Sequence, residues 1–159
     1  MEKPQFIVRQ PGEGPTISVA GDLYRFLVQG EHTGGRFALW HATVPAGGGP
    51  PPHLHRRECE GFYVLRGEVT FYVEDQSFKA GPGTFVHLPE DRPHRFANES
   101  AEDAEMLLLC APAGFEKMFF EVGTPSQSAL PMEPSDIPRL LEAAPRYGVE
   151  ILVETPPEL

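Results

Sequence analysis

Eighteen prolines and sixteen glycines are scattered through 159 residues, and they leave almost no stretch in which a long helix can run uninterrupted. What lies between them is short and rich in Val, Phe, Tyr and Leu. Leu23 to Val28, Arg36 to Val44, Phe62 to Leu65, Glu68 to Val73, Thr84 to Leu88, His94 to Ala97 and Glu105 to Cys110 read as strands. Turns are expected at Arg66-Gly67, Glu74-Asp75 and Gly81-Pro82-Gly83. Closely spaced short strands of this kind predict an all-β barrel or sandwich over residues 17–112. A Pro/Gly-rich arm, residues 1–16, precedes it.

Residues 113–159 change character. Gly114 to Val122 can form a helix with Phe115, Met118, Phe119 and Val122 on one face. A Pro-rich stretch follows. Ser135 then reads as the N-cap of a helix over Asp136 to Ala144, with Ile137, Leu140, Leu141 and Ala144 at helical spacing and Pro138 in the first turn. Gly148 ends that region, and Val149 to Val153 reads as a last strand or an extended tail. The section is expected to pack on the barrel as an appendage rather than to form a second domain.

Thirteen basic against 23 acidic residues give a net charge of −10, which repels phosphate backbones and argues against nucleic acid and anionic membrane as partners. Cys59 and Cys110 are the only cysteines and read as reduced thiols of a cytoplasmic protein. The first residues show no basic region followed by an apolar run, so no signal peptide is expected.

The segment Gly47 to Gly67 carries the chemistry. His53 and His55 flank Leu54, and alternate residues of a strand project to one face, so both imidazoles can point inward. Glu60 follows on the same or the next strand, and His94 can add a third imidazole from a distant one. Three imidazoles and a carboxylate suit a divalent Fe, Mn, Ni, Co or Zn ion. Read alone, two histidines beside prolines are equally well surface-loop residues. Glu60 has its own alternatives, an exposed carboxylate or a base outside the metal's coordination sphere.

The spacing resembles the two sequence motifs of the cupin superfamily. The first, G-x5-H-x-H-x3,4-E-x6-G, is matched by Gly47, His53, His55, Glu60 and Gly67. The second, G-x5-P-x-G-x2-H-x3-N, is matched by Gly83, Pro89, His94 and Asn98, with Asp91 where the motif has its middle glycine. Asp tolerates the left-handed conformation that such a turn needs, so the departure touches the turn and not the ligands. The resemblance implies a double-stranded β-helix, or jelly-roll barrel, with one divalent metal ion on His53, His55, Glu60 and His94. It also makes Gly67 a turn residue and Asn98 a structural one.

Gly114-Phe115-Glu116-Lys117-Met118-Phe119 and Tyr147-Gly148-Val149-Glu150-Ile151-Leu152 are similar to the tails of small cupins related to quercetin 2,3-dioxygenases. That resemblance implies oxidative cleavage of a flavonol-type or related phenolic or enol substrate with dioxygen, Glu60 acting as both ligand and proton acceptor. It also implies a homodimer. A cupin isomerase or other Lewis-acid enzyme, and a non-catalytic metal-containing metabolite binder, are the alternatives. His32, His41 and His87 are expected to be structural, and Cys59 to face away from Glu60. Phe37, Leu39, Phe62, Val64, Phe71 and Phe96 are candidates for the pocket lining or for an ordinary barrel core, and Trp40 and Tyr24 share that ambiguity.

Overall fold

The computed structural model describes residues 3–152. Residues 1 and 2 of the arm and 153–159 of the appendage, including Val153 of the expected last strand, lie outside the described residues.

The described residues form twelve strands. In chain order they are β1 (Thr16–Val19), β2 (Asp22–Val28), β3 (Ala38–Val44), β4 (His53–His55), β5 (Cys59–Arg66), β6 (Val69–Val73), β7 (Gln76–Ala80), β8 (Phe85–Leu88), β9 (His94–Ala97), β10 (Ala104–Ala111), β11 (Thr124–Pro125) and β12 (Val149–Ile151). Three short helices accompany them: α1 (Gly30–Thr33), α2 (Glu116–Val122) and α3 (Asp136–Ala143), the last followed by a 3-10 turn over Ala144–Tyr147. All pairings are antiparallel. One sheet runs β11-β1-β2-β3-β10-β5-β8, and the other β12-β4-β9-β6-β7. The two sheets make the expected jelly roll.

The core lies between the sheets and has two aromatic centres. Phe62 meets Phe71 nearly edge to face, their centroids 5.2 Å apart, and Phe96 closes that group. Trp40 is surrounded by Phe26, Phe115 and Phe119 at 5.4, 5.7 and 5.8 Å. Strand β3 shows why Trp40 belongs inside. Ala38, Trp40, Ala42 and Val44 alternate inward, which puts Leu39, His41 and Thr43 on the other face.

The appendage is tied into both sheets. β11 extends the larger sheet beside β1, and β12 pairs with β4, setting Val149 opposite His55 and Ile151 opposite His53. The buried Glu116 carboxylate pins α2 by accepting the Gly30 and Gly114 amides at 3.2 and 2.6 Å. Ser135 stands at the start of α3 but does not cap it: its backbone is already helical and its side chain makes no capping bond. The Asp136 carboxylate instead turns back to accept the Glu133 amide at 2.7 Å.

The turn at residue 91 is left-handed, with Asp91 at φ 63° in place of the motif glycine. Asn98 is fully buried and structural. Its amide donates to the Val44 and Glu102 carbonyls at 2.8 and 2.7 Å, and so ties β3 to the turn after β9. Gly67 adopts φ 75° between β5 and β6.

Candidate metal centre

The four side chains singled out by spacing come from three strands and both sheets. His53 and His55 lie on β4 and His94 lies directly across on β9, in register with His53. Glu60 sits on β5 in the opposite sheet. One ligand-capable atom from each of the four lies within 4.8 Å of every other. His55, Glu60 and His94 are buried, and His53 opens onto the adjoining cavity.

Backbone carbonyls set the ring orientations. His53 Nδ1 is 2.8 Å from the Pro51 carbonyl, and His94 Nδ1 is 2.8 Å from that of Arg92. Each carbonyl accepts from a protonated Nδ1, so that in the neutral ring Nε2 offers its lone pair to the cluster. The His55 ring packs on Phe115, centroid to centroid 4.3 Å. Glu60 Oε2 lies 2.8 Å from His94 Nε2 and 3.3 Å from His55 Nε2, yet none of these three buried atoms has a partner in hydrogen-bond geometry.

Buried polar atoms without partners are costly, and here they converge on one point. A cation among them satisfies all of them at once. The donor set of three imidazoles and a carboxylate fits a divalent transition ion.

The charges are strongly coupled. Burial and the neighbouring His94 and His55 push the His53 imidazole down to about 3. Burial raises the Glu60 carboxyl, but the His55 and His94 imidazoles outweigh it and hold the group below the usual carboxylate range. Burial lowers His94, and Glu60 more than reverses that. The cluster thus keeps its carboxylate ionised and at least one imidazole neutral, the forms that bind a cation.

Beside the cluster is a largely apolar cavity of about 60 Å³. Its walls include Phe96, Phe115, Met118, Phe119 and Leu140, so α2 and α3 help to close it. Of the six residues considered for its lining, only Phe96 contributes. Leu39 points out of the barrel because the parity of β3 gives the inner place to Trp40, and Phe37 precedes that strand outside the core. Phe62, Val64 and Phe71 fill the core away from the cavity. Trp40 and Tyr24 both line it.

His87 is exposed on β8. His41 lies 3.2 Å from Glu105 on the outer face, and His32 accepts the Gln29 amide at 3.0 Å within α1. None joins the cluster. Cys59 does turn away from Glu60, its neighbour on β5.

Asp22 is the cavity residue that the motifs did not flag. It is buried, and its Oδ1 has no partner. A signal was present: Asp22, Tyr24 and Phe26 share one face of β2, which places a carboxylate on an apolar stripe.

Burial pushes the Asp22 carboxyl up to about 7, against the pull of the Gly49 amide and the Tyr24 hydroxyl. Because the folded-state value lies above the unfolded one of 3.8, the folded protein holds this proton longer. The stability it contributes is complete below the unfolded value and is lost as pH rises through about 7. Wild-type stability should therefore fall by roughly 4 kcal/mol more than that of Asp22→Asn between about pH 4 and 8. Urea titrations across that range check it, and parallel curves would refute the assignment.

Residues 40–110 match the protein family described as Cupin domain. Over those residues, just under half of the chain, it is similar to a cupin domain. The match includes all four residues of the cluster. Two curated relatives extend the similarity beyond the cupin core. Quercetin 2,3-dioxygenase of Bacillus subtilis is 29% identical over 128 residues, covering 80% of this chain and 38% of that protein. Quercetin 2,3-dioxygenase of Aspergillus japonicus is 28% identical, covering 75% and 36%. The chain thus spans little more than a third of either relative's length.

Solved structures agree in fold. A predicted oxalate decarboxylase from Thermotoga maritima superposes with TM-score 0.60 at 22% identity, over 67% of this chain and 99% of that one. KdgF from Halomonas sp. gives 0.55 at 18%, over 61% and 85%. Among the described residues, no helix is long and apolar enough to cross a membrane.

Proposed function

We propose that this cupin is a metal-dependent dioxygenase acting on a phenolic or enol substrate, with His53, His55, Glu60 and His94 as metal ligands. The observation that carries the reading is the convergence of unpaired buried imidazole and carboxylate atoms at the wall of a largely apolar cavity. The likeness to quercetin 2,3-dioxygenases supports the reaction class.

A bound divalent ion would polarise a substrate oxygen and, if redox-active, open a path for electrons to dioxygen. The chain supplies the rest. Glu60 is ionised and can accept the proton of the substrate hydroxyl. The carbonyls of Pro51 and Arg92 fix two imidazoles so that they need no reorientation. Phe96, Phe115 and Phe119 give the substrate apolar walls beside the cluster.

Cavity size narrows the substrate. At ~10–15 Å³ of such space per water, 60 Å³ holds about four to six waters, close to the room one aromatic ring needs. A flavonol-type ligand is larger and would extend beyond this space.

Oxygen uptake by iron-, nickel- and manganese-loaded protein with single-ring catechols, enols and quercetin tests the proposal. Uptake with at least one pair is expected. Turnover that consumes no oxygen would replace it with a Lewis-acid isomerase, and no turnover with any pair would leave a binding protein.

A further inference from the structure

The cavity has polar atoms that the metal cluster does not use. Asp22 Oδ1, an acceptor on β2, and Trp40 Nε1, a donor on β3, are both buried without a partner. Both residues line the cavity that adjoins the histidines. Tyr24 links them: its hydroxyl is 3.5 Å from Asp22 Oδ2, and its ring centroid is 6.3 Å from that of Trp40. A core that only needed bulk here would leave neither atom unpaired, because each costs desolvation with no bond in return.

We infer that Asp22 and Trp40 form a second polar station in the cavity, which binds a hydroxyl group of the ligand remote from the oxygen that faces the histidines. A hydroxyl both donates and accepts, so it can pair with the carboxyl in either protonation state and also accept from an indole N–H. The ligand class is therefore a single ring or compact enol bearing two oxygens, one for each station. This rests on the phenolic reading above and adds the substrate's second functional group to it.

The experiment compares phenol with catechol, resorcinol and hydroquinone by calorimetry, without oxygen, on zinc-loaded and on metal-free protein. Zinc is redox-silent, so no turnover intervenes. Trp40 is the only tryptophan, and its fluorescence reports entry into the cavity.

At least one dihydroxybenzene is expected to bind about tenfold or more tighter than phenol and to change the Trp40 emission. On the zinc-loaded protein Asp22→Ala should erase that advantage. Trp40→Phe, read by calorimetry, provides the same comparison should Asp22→Ala not fold. Equal affinities for all four compounds, or an advantage that survives both substitutions, would overturn the inference. Failure of the metal reading shows separately, as absence of zinc retention. In the metal-free arm phenol's one hydroxyl can itself use the second station, which is then read as a loss of phenol affinity in the Asp22 and Trp40 variants. Phenol binding that both variants leave intact there would overturn the inference.

Discussion

Loading the metal-free protein with a divalent transition ion is expected to raise its unfolding midpoint by about 5–10 °C when the free ion is a hundredfold above its dissociation constant. The gain follows from the state of the cluster. His55, His94 and Glu60 hold buried atoms that make no hydrogen bond in the protein itself. Taking them from water costs free energy in every folded molecule, and an ion returns it.

Glu60→Gln and His94→Ala should each lose most of the shift. Glu60→Gln removes the negative charge that would neutralise a cation, and His94→Ala removes a proposed ligand pre-oriented by the Arg92 carbonyl. Both should also lower oxygen uptake by at least about a hundredfold. His87→Ala, on the exposed outer face of β8, should leave the shift intact. Calorimetric melts with elemental analysis of the protein decide the matter. A midpoint indifferent to metal in the wild type, or a full shift in both ligand variants, would refute the assignment.

Gly49→Ala should destabilise the protein by more than about 3 kcal/mol, and Gly47→Ala by only about 1–2 kcal/mol, although Gly47 is the residue that the motif names. Gly49 has φ 129°, and a Cβ placed on it would come within 2.2 Å of the Phe96 carbonyl oxygen and 3.0 Å of the Ala97 Cα. Those are backbone atoms of β9, so the strand carrying His94 would have to move. Gly47 has φ 81° but open space around its missing Cβ, so only the conformational cost remains. The Gly49 variant should also lose metal affinity, because the same displacement shifts β9 against β4. Equal effects at the two positions would show that contact with β9 does not govern this loop.

The comparison of Gly47 with Gly49 shows how far spacing alone can reach. The motif marks where the chain turns, but close approach between Gly49 and Phe96 exists only once β9 is folded beside that loop. Strand β7 shows the same limit. Gln76 to Lys79 are exposed, so no alternation marks them, and their pairing with β6 comes from the hairpin at Glu74-Asp75. The parity of β3 was ambiguous because Leu39 and Trp40 are both apolar. A shift of one residue reverses every side chain, and only packing against Phe26, Phe115 and Phe119 selects Trp40 for the inside. Asp22 was readable as a carboxylate on an apolar stripe, but strand periodicity does not say that the stripe ends in a cavity.

From the sequence by itself followed the strand-and-turn character, the candidate ligands and the left-handed turn at Asp91. The two-residue period of a strand puts His53 and His55 on one face and a short polar side chain tolerates that turn, whereas Glu60 and His94 came from the resemblance to the cupin motifs. Only the tertiary structure decided that Glu60 reaches the histidines from the opposite sheet, that α2 and α3 close the cavity, and that Asp22 and Trp40 share it. Those are contacts between segments far apart in the chain, and they arise from packing two sheets face to face, which no local pattern encodes.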